Sequence, residues 1–293
     1  MRLLAELRDR EISLKMARKI KELSKNLENI KIMNFCGTHE WVITHYGIRY
    51  LMPENVELVA GPGCPVCITP AYYVDAAVKL AMEGIRVLTF GDSYRLMGSG
   101  IGLPRSLEES KERGADVEIV YGMLDAIKIA RDGKESVFFA VGFETTAPAV
   151  LSPIHSGEIP NNLSLIVAHR LTPPIMRYVL ERFPRSPIRG VIAPGHVSTI
   201  IGSSAWEFVA EEYGIPIAVS GFEPVDVLLS ILEIVKQIEN GEADFFNEYS
   251  RAVGYEGNKR ALRLIESTTE VVDAAWRGIG FVPKSGLVLK EEL

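Results

Sequence analysis

Eight short apolar runs, at residues 30–35, 56–60, 87–90, 117–121, 137–141, 163–168, 190–193 and 217–219, limit what this chain can fold into. Most are separated by amphipathic stretches of helix length. A strand covered on both faces needs apolar side chains at successive positions, and helices packed on the sheet supply that cover. The pattern therefore predicts an α/β protein built on parallel sheets. Nearly every run leads into a loop rich in Gly, Pro, Ser or Thr: CGTHE, GPGCP, GDSY, GFETT, AHRLTP, APGH and SGFEP. In such sheets ligands bind at the loops outside the carboxyl ends of the strands.

The sequence also repeats itself. VAGPGCPVCITPAYYVDAAVKLAMEGIRVLTFGDS, from Val59, and VIAPGHVSTIIGSSAWEFVAEEYGIPIAVSGFE, from Val191, share a strand, a Pro-Gly turn, a helix, a Gly-Ile turn and a second strand. Upstream, NIKIMNFCGTHE matches NLSLIVAHRLTP at a similar offset and sets His39 over His169. These matches predict two similar Rossmann-like parallel-sheet halves facing across a cleft, the first at 28–133 and the second at 134–240. An N-terminal helix is expected within 1–27, where Met16, Ile20, Leu23 and Leu27 alternate spacings of four and three. The stretch 241–293 is expected to form a C-terminal helical appendage.

The formal net charge of −6 and the lack of any basic run speak against nucleic acid or an anionic membrane as partner, since both need clustered Lys and Arg. The charged N-terminus has no apolar core of the kind a signal peptide or membrane span requires, so a cytoplasmic protein is expected.

The sequence has three cysteines, Cys36, Cys64 and Cys67, an odd number that makes no disulfide framework. Cys64 and Cys67 flank Pro-Val between a strand end and a helix start. Thiols so placed can close a small ring or share one metal, and helix-dipole amides favour the thiolate. Three readings stay open on these residues alone: a redox pair, a zinc site completed by Cys36 and His39, and small buried hydrophobes. In the CGTHE loop, Gly37 permits close backbone approach, Thr38 can cap a following helix, and His39 can hold or relay a proton near the Cys36 sulfur. A Cys-His pair also serves as nucleophile and base, but no oxyanion-hole motif or third orienting residue accompanies this one.

GFETTAP places Glu144, Thr145 and Thr146 at a strand-to-helix junction with Pro148 in the first turn, as a cap or as ligand-binding groups. GHVSTIIG offers His196, Ser198 and Thr199 at another helix start, where anions are favoured, and the repeat sets it opposite the cysteine loop. GSGIG, at 98–102, resembles a phosphate cradle without the Lys-Ser/Thr of a P-loop and reads as a mobile loop over the site.

Taken together and in order, CGTHE, GPGCPVCITP, FGDSYR, GFETTAP, APGHVSTIIG, SGFEPVD and WRGIG resemble the HypD family of hydrogenase maturation factors, from about residue 15 to the end of the chain. The resemblance implies a scaffold on which the iron of nickel-iron hydrogenases acquires cyanide and carbon monoxide as an Fe(CN)2CO centre. It also implies a small HypC-type partner and a HypE-type cyanide donor. By the same resemblance Cys36 is the iron-binding thiolate and Cys64 and Cys67 are the redox-active pair. His39 tunes or protonates the cyanide end, and His196 and Glu144 shape the cleft. Thr38, Gly63, Thr145, Thr146 and Ser198 complete the candidate binding residues. A soft thiolate suits low-spin iron with strong-field ligands, and a close thiol pair stores two electrons by opening a disulfide. Family members usually continue into a cysteine-rich module that looks like the site of a [4Fe-4S] cluster; with three cysteines, all before residue 70, this sequence lacks four such ligands. A thiol-disulfide oxidoreductase and a zinc-stabilised α/β binding module are the alternative functions.

Overall fold

All eight apolar runs become strands: β1 (Ile30–Asn34), β2 (Val56–Ala60), β3 (Arg86–Thr89), β4 (Val117–Ile119), β5 (Ser136–Gly142), β6 (Leu163–His169), β7 (Ile188–Pro194) and β8 (Ile217–Ser220). The computed structural model describes residues 6–182 and 187–291, so residues 1–5 of the expected N-terminal helix and 183–186 of the expected second half lie outside the described residues. β5 is buried at every position, as a strand between two helix layers must be.

Spatial grouping does not follow chain order. One unit comprises Met1–Gly63 and Ile175–Lys259, the other Cys64–Pro174 and Arg260–Leu293. The first holds a five-stranded parallel sheet of order β2-β1-β7-β8-β9, where β9 is Phe245–Asn247. The second holds a four-stranded parallel sheet of order β4-β3-β5-β6. The α/β class stands, but two interleaved units replace the contiguous halves expected at 28–133 and 134–240. Strand pairing is decided by edge-to-edge fit and shared helix cover, so β1 pairs with the distant β7 while β3 and β4 go elsewhere.

The two sheets share a topology all the same. β2-β1-β7-β8 and β4-β3-β5-β6 have the same order of connections, which makes β1 the counterpart of β3, β7 of β5 and β8 of β6. The sequence repeat matched other partners: it set β1 against β6, yet β1 lies inside its sheet and β6 ends its own. His39 sits on the helix after β1, whereas His169 is the last residue of β6, so the two histidines are not equivalent.

In the first unit, the helix Arg10–Ser24 starts at Asp9, whose carboxylate accepts the Ile12 N–H at 2.8 Å. Ile20 is wholly buried in a cluster with Ile32, Ile43, Ile192, Leu228 and Ile231, and Met16, Leu23 and Leu27 pack against it. A fully buried aliphatic side chain of this size contributes about 1.5–3 kcal/mol. The helix Pro224–Asn240 opens with a capping box between Glu223 and Asp226 and ends at Gly241 in the left-handed region, φ 70°.

The expected C-terminal helical appendage is mostly not helical. Lys259–Thr268 is a helix, but Thr269–Trp276 (β10) pairs antiparallel with Gly280–Leu289 (β11). The β-branched Thr269, Val271 and Val272 favour the strand, and Trp276, Val282 and Leu287 gain burial in the hairpin. A helical period read over 241–276 carries no information about a pairing partner further downstream. Among the described residues, no helix is long and apolar enough to cross a membrane.

Candidate functional site

In the first sheet the order of connections reverses between β1 and β7: β1 leads outward to β2, and β7 leads the other way to β8 and β9. Loops leaving two strands in opposite directions open a crevice at their carboxyl ends. The loop after β1 carries Cys36 and His39, and the loop after β7 carries Gly195 and His196. His196, expected on the half opposite the cysteines, belongs to the same unit as Cys36.

Cys36 is a free, half-buried thiol at the N-cap of the helix Gly37–His45. Its carbonyl accepts the Glu40 N–H, and its side chain makes no capping hydrogen bond. Thr38 is therefore not the cap; it lies exposed in the first turn. The GPG segment lies directly on this loop: Gly63 O accepts the Gly37 N–H at 3.1 Å, and Gly61 N–H donates to Asn34 O at 2.7 Å. A Cβ on Gly63 would overlap the Phe35 carbonyl and the Cys36 nitrogen, so this position has room for glycine alone. Gly63 thus shapes the loop by backbone contact.

His39 is wholly buried. Its Nε2 lies 2.9 Å from Gly221 O and 3.2 Å from Ser220 O, two acceptors, so Nε2 carries the proton. Nδ1 has no hydrogen-bond partner among the described residues. Burial pushes the His39 pKa down to about 4, which keeps the ring neutral near neutral pH. The ring stacks on Phe222 with centroids 4.7 Å apart, and His196 stacks on the same Phe222 at 3.7 Å. Phe222 is thus sandwiched between two imidazoles. Partial burial also lowers the His196 pKa, but its ring remains exposed to solvent.

The Ser220–Glu223 segment that carries Phe222 is held from behind by charge. Glu248 Oε2 accepts the Gly221 N–H at 2.8 Å, and Asp226 Oδ2 accepts the Glu223 N–H at 3.1 Å. Arg251 bridges the two acids, 2.5 Å from Asp226 and 3.3 Å from Glu248. Burial, aided by the neighbouring Asp226, pushes the Glu248 pKa up to about 7. Glu223 itself accepts both Nε and Nη2 of Arg8, at 2.5 and 2.8 Å.

In the second unit, Cys64 and Cys67 form a disulfide, with Cα atoms 5.3 Å apart. In this state neither offers a thiolate to a metal. Cys67 is exposed and Cys64 half-buried, and the Cys67 N–H donates to Cys64 Sγ at 3.2 Å. The turn closes through Ile68 N–H to Cys64 O and Thr69 Oγ1 to Pro65 O.

Glu144 is buried, and its Oε1 accepts the Thr172 N–H at 2.6 Å and the Thr172 hydroxyl at 3.1 Å. It ties the end of β5 to the start of the helix Thr172–Arg182, and burial pushes its pKa up to about 7. The expected cleft-shaping role does not fit a carboxyl committed in this way. Thr145 is exposed, and Thr146 is the N-cap of the helix Ala147–His155 without a side-chain capping bond. The Ser198 hydroxyl is fully used in the first unit: it donates to Pro194 O and accepts from Trp206 Nε1, both at 2.8 Å. The GSGIG loop, expected to lie loose, is tied down where Ser99 N–H donates to Asp75 Oδ1 at 2.8 Å.

Phe222, Asp226, Glu248 and Arg251 escaped the sequence reading as site residues. SGFEPVD was singled out as a motif, so the signal for Phe222 and Asp226 was present; nothing in 241–251 marked Glu248 or Arg251.

Similarity to known proteins agrees with this arrangement of motifs. The HypD family model, described as the hydrogenase formation hypA family, matches residues 11–293. The chain is 43% identical, over 97% of its length and 77% of the relative's, to hydrogenase maturation factor HypD2 of Bradyrhizobium diazoefficiens. It is 43% identical, over 97% of its length and 79% of the relative's, to a putative hydrogenase expression/formation protein of Methanocaldococcus jannaschii. Hydrogenase maturation factor HypD of Cupriavidus necator is 38% identical over the whole chain and 79% of its own length.

Proposed function

Because the chain belongs to the HypD family of hydrogenase maturation factors, we propose that it is a scaffold on which iron acquires cyanide and carbon monoxide for nickel-iron hydrogenases. The observation that carries this reading is Cys36, a free thiol at the switch point of a parallel sheet, in the same unit as the exposed imidazole of His196. A soft thiolate with an open side suits an iron that must exchange ligands. Iron is cargo here, bound by Cys36 together with a thiol of a HypC-type partner, and a HypE-type donor delivers cyanide. Cys64 and Cys67 cycle between disulfide and dithiol, taking up and returning two electrons and two protons per cycle. A cytoplasmic setting belongs to this reading, because reductants there would keep Cys36 a thiol and reopen the Cys64–Cys67 bond.

The buried histidine takes a different part from the exposed one. His39 has its single N–H committed to two carbonyls and resists protonation, so it positions the Ser220–Phe222 segment. His196 is the imidazole free to face a ligand.

Iron content and the infrared bands of bound cyanide and carbonyl, measured on the complex with a HypC-type protein, test the reading. Both are expected to vanish in Cys36→Ala; a variant that keeps both refutes it. The Cys64–Cys67 disulfide favours a second reading, a thiol-disulfide oxidoreductase. Turnover of a disulfide substrate that survives Cys36→Ala would support that one.

A further inference from the structure

The WRGIG segment, to which the proposed function gives no task, is joined to the disulfide loop. Arg277 opens the turn between β10 and β11 and donates to three main-chain carbonyls. Its N–H reaches Ile68 O at 2.8 Å, Nε reaches Thr69 O at 2.7 Å and Nη2 reaches Met97 O at 2.6 Å. Ile68 and Thr69 are where the Cys64–Cys67 turn ends, and both turn back on it: Ile68 N–H donates to Cys64 O and Thr69 N–H to Val66 O. Arg277 therefore holds the end of the turn twice, Ile68 O through its main-chain N–H and Thr69 O through its guanidinium. Through Met97 O it fastens the neighbouring FGDSYRLMGSG stretch to the same point.

We propose that Arg277 is a positioning residue that biases Cys64 and Cys67 toward the disulfide. The inference rests on the redox reading of that pair. In reduction an external dithiol gives up two electrons and two protons: the Sγ–Sγ bond breaks, two thiols form, and the reductant is left as a disulfide. Two non-bonded sulfurs need more room than two bonded ones, so the turn must widen and carry its terminal carbonyls with it. A guanidinium fork fitted to the closed turn fits the widened turn less well. Its differential hold on the two states shifts the equilibrium toward the closed one. Arginine suits the task because its planar fork fixes Thr69 O and Met97 O in one rigid geometry, whereas a lysine ammonium on a flexible stem would follow the turn as it opens.

The test equilibrates the full chain in buffers of fixed ratios of reduced to oxidised dithiothreitol and traps thiols with a maleimide. Mass spectrometry resolved by peptide separates Cys64 and Cys67 from Cys36. At a given buffer ratio, Arg277→Ala is expected to raise dithiol over disulfide about tenfold, equivalent to about 30 mV. Arg277→Lys, which keeps the charge and loses the fork, is expected to move the same way, and it carries the comparison if the alanine variant does not fold. Unchanged ratios in folded variants, beside a wild-type pair that titrates normally, overturn the role of Arg277 and leave the redox reading standing. A wild-type pair that exchanges with no buffer sinks the redox reading, and this inference with it.

Discussion

The carboxyl ends of the two sheets bury the same kinds of group and use them differently. In the first unit both the imidazole of His39 and the carboxyl of Glu248 hold the segment that carries Phe222. In the second unit Glu144 ties β5 to Thr172, while His169 is wholly buried with no partner for either ring nitrogen among the described residues. Burial sets the charge state of both histidines alike, pushing each pKa down to about 4. Partners decide the rest. One imidazole braces backbone in the unit that carries the free thiol, and the other is only packed.

The largest expected effect separates the two histidines. His39→Phe leaves the carbonyls of Ser220 and Gly221 without their shared donor and is expected to cost about 2–3 kcal/mol, read as a lower urea midpoint. His39→Gln, which restores an N–H, is expected to recover part of that loss.

A second effect is a slope with pH. The folded pKa of Glu144, about 7, stands above its ordinary value of 4.5. The stability this carboxyl contributes is therefore full below pH 4.5 and is lost as pH rises toward 7. His39 runs the other way: its folded pKa of about 4 lies below the ordinary 6.5, so its contribution is full above 6.5 and is lost as pH falls toward 4. Relative to wild type, Glu144→Gln is expected to gain about 1–3 kcal/mol as pH rises from 4.5 to about 7. Parallel curves of midpoint against pH for the two proteins would contradict this.

The smallest effect is expected at His169. Replacing a buried, unpartnered imidazole with a ring of similar shape removes a desolvation cost, so His169→Phe is expected to change stability by less than about 1 kcal/mol, or to raise it. A loss as large as that of His39→Phe would break the contrast between the two units.

The strands were legible because a buried parallel strand must be apolar at successive positions, as in SVFFAVG of β5. The hairpin of β10 and β11 was not, because its pattern of exposed and buried residues makes sense only once the two strands are paired. Cys36, Cys64, Cys67, His39 and His196 were found as candidates because few residue types carry such chemistry. Ser198 was read as a binding group and Glu144 as a group shaping the cleft because a sequence does not show that Trp206 and Thr172 occupy their polar atoms.

The sequence by itself determined the α/β class, the strand positions and the loops that bear the chemistry, since each rests on residue type and local spacing, and its ordered motifs carried the resemblance to the family. Only the tertiary structure decided that β1 pairs with β7 and that Phe222 lies between two imidazoles. It also decided that His39 stays neutral and that Arg277 fastens the disulfide loop. These depend on which distant segments share an edge or exclude water together, and free energies of that kind belong to pairs of segments, which no stretch of chain encodes alone.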